Sequence, residues 1–188
     1  MTAPAGTMFK PTKAASKAAR QRVKKDRRNA ENREMRKARK RDGGCRFPLC
    51  GCRAKGIRPE VSHLRHRGSG GDPSGERTQS PVLITLCHIR HQIGRVSRHA
   101  HSLRADPRTD LGYNGAVRWW VLLDVVRDLA PHFIDIPAAY LDPDGDGHWW
   151  VLVAVERTPS LLSREGWPLF PLHPWQRVIL EGLGRMER

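Results

Sequence analysis

The feature that most constrains this chain is the segment 45–104, which is dense in Cys, His, Gly and Arg and poor in long apolar stretches. Such a segment cannot bury enough apolar surface to fold by itself, so we expect a bound metal ion to stabilise it. All four cysteines of the chain lie in this segment. In a reducing compartment, that clustering favours a metal site over disulfides.

The cysteine spacing is typical of a tetrahedral zinc site, in which thiolates from a knuckle and from a distant pair bind one ion. Cys45 and Cys50 form the knuckle, and Cys87 lies far along the chain. Arg90 occupies the place of a second distant cysteine, so the fourth ligand stays open. The possible fourth ligands are Cys52, His88 and His91. The competing interpretation is that the cysteines are small buried side chains without a metal.

Histidines are concentrated in the same segment, since six of the nine fall between positions 63 and 101. His63 ends a predicted short strand (57–63) and precedes a glycine-rich loop, so its ring would be held by the backbone and still face solvent. A side chain that titrates near neutrality suits a general base in such a place. Arg65 and Arg67 beside it are suited to bidentate contacts with phosphate.

The remaining pattern predicts a mixture of short strands and helices. An apolar run over 81–86 predicts a second strand, and 87–99 predicts a short helix. Two buried strands are predicted over 117–126 and 148–156, each with a Trp pair, and a helix over 174–186. Between those strands, the sequence DPDGDG predicts a turn.

The net charge of +15 lies mostly in the first 44 residues, which carry fifteen Lys or Arg against four acidic residues. Positions 13–41 lack Gly and Pro and favour a helix, although one that is marginal alone. A polyanion is the expected partner of this arm, with nucleic acid (DNA) as the first candidate and an acidic membrane surface as the second, and a merely solvated tail is the alternative. The arm residues assigned to DNA binding are Lys24, Lys25, Arg27, Arg28, Arg36, Lys37, Arg39 and Lys40.

Taken in order, these motifs resemble the HNH (ββα-metal) endonucleases of bacteriophages and bacteria. The stretch VSHLRHRGSGG is similar to the family pattern HH-x-x-x-R-x-x-GG, and LITLCHIRH is similar to LI-x-LC-x-x-CH. The resemblance covers about residues 45–101.

The resemblance implies an enzyme that hydrolyses DNA phosphodiester bonds. It implies that His63 is the general base that activates water, and that His91 is a ligand of one catalytic divalent ion such as Mg²⁺, Mn²⁺ or Ni²⁺. It also implies that Cys45, Cys50 and Cys87 bind a structural Zn²⁺.

Three positions depart from the family pattern. Ser62 stands where the family has a metal ligand, Val82 where it has the central Asn, and Arg90 where it has a cysteine. His66 or His99 is a hypothetical substitute for the missing ligand. A catalytically degenerate protein that only binds nucleic acid is therefore the alternative to an active nuclease.

We therefore expect an α+β fold with a zinc-stabilised ββα-metal core (45–104), a basic N-terminal helical arm (1–44) and a small C-terminal α+β extension (105–188) of unknown role. No signal peptide and no transmembrane run is visible in the sequence. The chain is thus expected in the cytoplasm of a bacterium or a phage-infected cell, with DNA as partner, no membrane and no small-molecule cofactor.

Overall fold

The charged N-terminal segment forms one long helix, α1 (Lys13–Asp42). The structure, a computed structural model, describes residues 13–50, 52, 56–63, 79–98, 100–129, 136–157 and 168–186. Helix was predicted over 13–41, so intrinsic propensity located this element well. Near its C-terminal end, α1 packs on other described elements of the protein, where Met35 and Ala38 contact Val61 and Leu83.

A two-stranded antiparallel hairpin follows α1. It pairs β1 (Pro59–His63) with β2 (Leu83–Cys87), and His63 lies opposite Leu83 in the ladder. Both strands were predicted, each within two residues of its observed start. The helix predicted over 87–99 is wrong in length, because only the π-helical turn Ile89–Ile93 forms. The extended backbone of Gly94 ends this turn, and the Gly94 N–H bonds to the Ile89 carbonyl oxygen.

A four-stranded antiparallel sheet forms the second part of the fold, in the order β3-β4-β6-β5. Its strands are β3 (Leu103–Pro107), β4 (Val117–Leu122), β5 (Leu141–Pro143) and β6 (Trp149–Val155). The strand predicted over 117–126 is too long, because helix α2 (Leu123–Leu129) replaces its second half. Asp124 in the first turn of α2 suits a helix N-terminus, where a carboxylate interacts favourably with the helix dipole.

The last element, α3 (Pro174–Met186), has the bounds that its helical spacing predicts. It buries Ile179, Leu180 and Leu183 in a core that also contains Phe47 and Trp119. The cysteine-rich segment and the C-terminal sheet therefore share one hydrophobic core. The ring of Phe47 meets that of Trp119 edge-on, with centroids 5.4 Å apart.

The turn predicted over 142–147 is present between β5 and β6. The Asp144 carboxylate accepts hydrogen bonds from the backbone N–H groups of Asp146 and His148, at 3.0 and 2.8 Å. Of the two Trp pairs, Trp119, Trp120 and Trp150 are buried, as expected of core strands, whereas Trp149 is 47% exposed. No helix in the described part of the chain is long and apolar enough to cross a membrane.

Candidate metal centre and histidine cleft

The four cysteines converge on one point beside the end of β2. Their Sγ atoms all lie within 4.8 Å of one another, and those of Cys50 and Cys87 are 3.7 Å apart. The knuckle is shaped by a tight turn, in which the Cys50 N–H bonds to the Phe47 carbonyl oxygen. Leu49 in that turn adopts a positive φ of 52°, which brings the chain back toward Cys45.

The geometry of this cluster fits a tetrahedral metal ion. Metal–sulfur bonds of about 2.3 Å place two thiolates of a tetrahedron about 3.8 Å apart. The Sγ atoms of Cys50 and Cys87 are 3.7 Å apart, which is close to that distance. No disulfide joins the four cysteines. The cluster could therefore hold a metal ion such as zinc, with Cys52 as the fourth ligand. The cysteine spacing left Cys52, His88 and His91 as possible fourth ligands, and the cluster contains Cys52 but neither histidine.

The protonation of the thiols also suits a bound cation. The hydrogen bond between Cys45 and Cys50 raises the pKa of Cys45 and lowers the pKa of Cys50 to about 2. Hydrogen bonding with Cys45 likewise lowers the pKa of Cys52. Thiols crowded in this way share protons among themselves, because several adjacent thiolates would repel one another. A divalent cation removes that repulsion.

A cleft of about 850 Å³ separates the hairpin from the C-terminal sheet. His63, the last residue of β1, and His91, in the π-helical turn, both line it. The imidazoles and carboxylates along its walls are those of His63, His91, His101, His148, Asp144 and Asp146. The structure thus brings the predicted base and the predicted metal ligand into one cleft. It adds a wall from the β5–β6 turn that the motifs did not indicate.

The sequence motifs also did not indicate Glu60, which lies on β1. Its carboxylate contacts the Nδ1 atoms of His88 and His91, each at 2.8 Å, and accepts a hydrogen bond from Gln92. Partial burial raises the pKa of Glu60, but the hydrogen bonds with His91 and His88 outweigh it, so the pKa is lowered. Glu60 and Ser62 lie three and one residues before His63, and the alternation of β1 places both on the same side of the strand. Because the family pattern has a metal ligand at position 62, this alternation is the sequence signal that could have indicated Glu60.

The three residues that depart from the HNH pattern, Ser62, Val82 and Arg90, are all buried or half-buried in the structure. Ser62 is buried at the wall of the cleft, and Val82 is half-buried in the 3₁₀ turn before β2. Arg90 is buried, and its guanidinium lies over the Phe47 ring at 4.5 Å. It also donates to the Leu183 carbonyl oxygen at 3.1 Å. Arg90 therefore joins the knuckle to α3 and is not a metal ligand.

A buried ionic network lies behind the cysteine cluster and connects the three parts of the chain. The Arg46 guanidinium pairs with Glu156 at 2.6 Å and with Asp42 at 3.4 Å, and all three side chains are fully buried. Glu156 also accepts from the Trp119 indole at 3.0 Å, and Asp42 accepts from the Thr85 N–H at 2.8 Å. Burial raises the pKa of Glu156, although Arg46 beside it acts in the opposite direction.

The remaining predicted site residues divide into two groups. The eight arm residues assigned to DNA are all exposed on α1. The other group lies outside the described residues and comprises Arg65, His66, Arg67 and His99.

Comparisons of this chain with models of protein families, with curated proteins and with solved structures found no match to any of the three.

Proposed function

We propose that this chain is a metal-dependent endonuclease of the HNH type that hydrolyses DNA phosphodiester bonds. The observation that carries the proposal is the position of His63 and His91, which line the same cleft although they lie on different elements. The resemblance of the two motifs assigns His63 as the general base and His91 as a ligand of the catalytic ion. A base and a metal ligand that act on the same phosphate must face the same cleft.

In this proposal the cysteine cluster is a structural zinc site. Four thiolates suit Zn²⁺, and a closed set of four protein ligands is typical of a structural ion. The cluster ties the knuckle to the end of β2 and so supports the hairpin that carries His63. Loss of zinc is expected to destabilise the fold, because the knuckle would lose its link to the end of β2.

His63 would act as the general base. Its imidazole takes a proton from water, the water oxygen forms a bond to phosphorus, and the bond from phosphorus to the leaving sugar oxygen breaks. The leaving oxygen takes up a proton from solvent. His63 is held at the end of β1 by the ladder with β2, so its ring stays at the cleft wall.

His91 would bind the catalytic divalent ion through Nε2, because the carboxylate of Glu60 engages Nδ1. A carboxylate on the second ring nitrogen is the usual way in which a metal-binding histidine is oriented. When bound, such an ion stabilises negative charge on the phosphate and on the leaving oxygen. Within the described residues, His91 is the residue that the resemblance assigns to the catalytic ion. The substitutes proposed from the sequence, His66 and His99, lie outside them.

A plasmid-nicking assay with Mg²⁺, Mn²⁺ or Ni²⁺ tests the proposal. His63→Ala should lower the nicking rate by about 10² to 10⁴, the usual contribution of a general base. His173→Ala is the matched control, since His173 is exposed and does not line the cleft. Nicking at the wild-type rate by His63→Ala would overturn the assignment of the base.

A second function, DNA binding without cleavage, is favoured by one observation. Among the described residues, the only ligand atoms that converge as a metal-binding group are those of the four cysteines, and Ser62 is buried where the family has a ligand. A zinc-loaded wild-type protein that binds DNA tightly and nicks it with none of the three ions would establish this second function.

A further inference from the structure

The two sides of α1 differ in what they contact. Met35, Ala38 and Asp42 follow one another at intervals of three and four residues and therefore share one face. That face packs on the hairpin: Met35 and Ala38 contact Val61 and Leu83, and Asp42 is buried beside Thr85. Within the described residues, this C-terminal part of the helix contributes the apolar contacts with the hairpin.

The opposite side of α1 carries a row of cations that one asparagine interrupts. Two residues that are two positions apart on a helix are separated by about 200° around its axis. Positions 33, 36 and 40 each precede a residue of the docked face by two positions, so they lie on the opposite side. Intervals of three and four residues extend the same row toward the N-terminus. This outer stripe consists of Arg22, Lys25, Asn29, Arg33, Arg36 and Lys40. Every member is exposed, and none is acidic.

The dimensions of the outer stripe match duplex DNA. At 1.5 Å per residue it is about 27 Å long, which corresponds to about eight base pairs. A helix of about 10–12 Å diameter fits the major groove, which is about 12 Å wide. Five cations on one line complement the phosphates along that groove. Asn29 stands at the middle of the row, and its amide is able to donate to and accept from the edge of an adenine.

We propose that the outer stripe of α1 lies along the major groove of duplex DNA, with its cations at the phosphates and Asn29 at the base edges. This inference rests on the proposed function for the identity of the polyanion. The docked end of the same helix contacts Leu83, the residue opposite His63 in the hairpin. The groove contact is therefore held in a set direction relative to the cleft, and the arm orients the duplex as well as attracting it.

Two triple variants test the proposal by removing three charges from different sides of α1. Arg22→Gln/Lys25→Gln/Arg33→Gln alters the outer stripe. The matched control, Arg20→Gln/Lys24→Gln/Arg27→Gln, removes two arginines and one lysine along the line of the docked face, where these residues are also exposed. Lys24 and Arg27 belong to the arm residues that the sequence assigned to DNA binding, and the proposal predicts instead that they lie outside the groove. Gln keeps a high helix propensity, and circular dichroism checks that both variants retain the helix.

Binding to a 30-base-pair duplex is measured by fluorescence anisotropy over a range of salt concentrations, with zinc-loaded protein and no other divalent metal. The slope of log Kd against log salt should fall by about 2.7 in the outer-stripe variant, at about 0.9 per phosphate contact, and by less than about 1 in the control. Equal losses in the two variants would mean that the arm acts only as unspecific charge and would overturn the proposal.

Single-stranded DNA of the same length provides the second measurement. The outer-stripe variant should lose more affinity for the duplex than for the single strand, because only the duplex has a major groove. Equal losses on both ligands, or a wild-type chain with no affinity for duplex DNA, would overturn the inference. Since no cleavage occurs in these measurements, their outcome is independent of the nicking test on His63.

Discussion

At the scale of single residues, Glu60 links the two histidines that follow β2. Its two carboxylate oxygens contact His88 and His91, so this one side chain sets the orientation of the His91 ring. A free imidazole on a short turn would rotate about its side-chain bonds, and a ligand needs a fixed direction. In the proposed nuclease, Glu60 is therefore a positioning residue for the metal ligand.

Glu60→Ala should slow nicking about 10- to 100-fold and raise the Mn²⁺ concentration required for half-maximal activity. The reason is that His91 would keep its donor atom but lose the partner that orients it. Glu181→Ala on α3, an exposed glutamate, is the control and should nick at the wild-type rate. Unchanged nicking and unchanged Mn²⁺ dependence in Glu60→Ala would contradict the positioning role.

Cys52 and His88 allow a direct test of the fourth ligand. Cys52→Ser should lower the zinc content well below one ion per chain, because a weaker oxygen donor replaces a thiolate of the closed set. His88→Ala should keep one zinc per chain, since His88 contacts Glu60 and is not part of the cysteine cluster. Metal analysis after dialysis measures both. Loss of zinc from His88→Ala alone would reverse the assignment.

At the scale of elements, the junction between α1 and the hairpin depends on Asp42. The last residue of the helix accepts a hydrogen bond from the Thr85 N–H in the middle of β2, and also from Arg41. Because that N–H is buried, it has no water to replace a lost acceptor. Asp42 therefore holds the arm against the strand pair that carries His63.

Asp42→Ala should lower the free energy of unfolding by about 2 kcal/mol, the usual cost of a lost hydrogen bond to a charged group. Denaturant unfolding followed by circular dichroism measures this change. Asp26→Ala removes the same charge from an exposed position of α1 and should change stability by less than about 0.5 kcal/mol. Similar effects in both variants would show that the junction does not stabilise the fold.

Element type and element length differ in how well local sequence predicts them. α3 was predicted with its observed bounds, because Ile179, Leu180 and Leu183 follow helical spacing. The apolar run over 117–126 was predicted as one strand, yet it changes to α2 at Leu123. A continuous apolar run has no periodicity that separates a buried strand from a buried helix. Packing of α2 against β6 and α3 decides the change.

At the scale of the whole molecule, the network around Arg46 joins residues that are distant in sequence. Arg46 pairs with Glu156, 110 residues away, and also donates to the carbonyl oxygens of Tyr113 and Gly115. Such a buried pair is costly to break, because the remaining charge stays buried after it has lost its nearest counter-charge. The arm end, the knuckle and the sheet should therefore unfold in one transition.

Glu156→Leu should lower the free energy of unfolding by about 3–5 kcal/mol, since the buried Arg46 guanidinium loses its nearest carboxylate and keeps only the longer contact of 3.4 Å with Asp42. The double variant Arg46→Met/Glu156→Leu should recover part of that loss, because it removes both charges. Urea unfolding of the two variants and of Arg46→Met completes a double-mutant cycle. Additive losses in the cycle would show that the pair is not coupled.

The sequence by itself determined the cysteine cluster, the charged helix and the type of most elements. These properties depend on spacing between near neighbours, on intrinsic propensity and on the clustering of one residue type. The thiols of Cys45, Cys50 and Cys87 were thus predicted to meet, and the helix over 13–41 was expected from composition alone.

Only the tertiary structure decided which residue completes the cysteine set and what forms the second wall of the cleft. Cys52, His88 and His91 were equivalent candidates by spacing, and the fold places Cys52 in the cluster and both histidines at Glu60. Asp144 reaches the cleft from the β5–β6 turn, far along the chain from His63. Contacts of this kind depend on how the sheet packs against the hairpin, and no local pattern in the sequence encodes that packing.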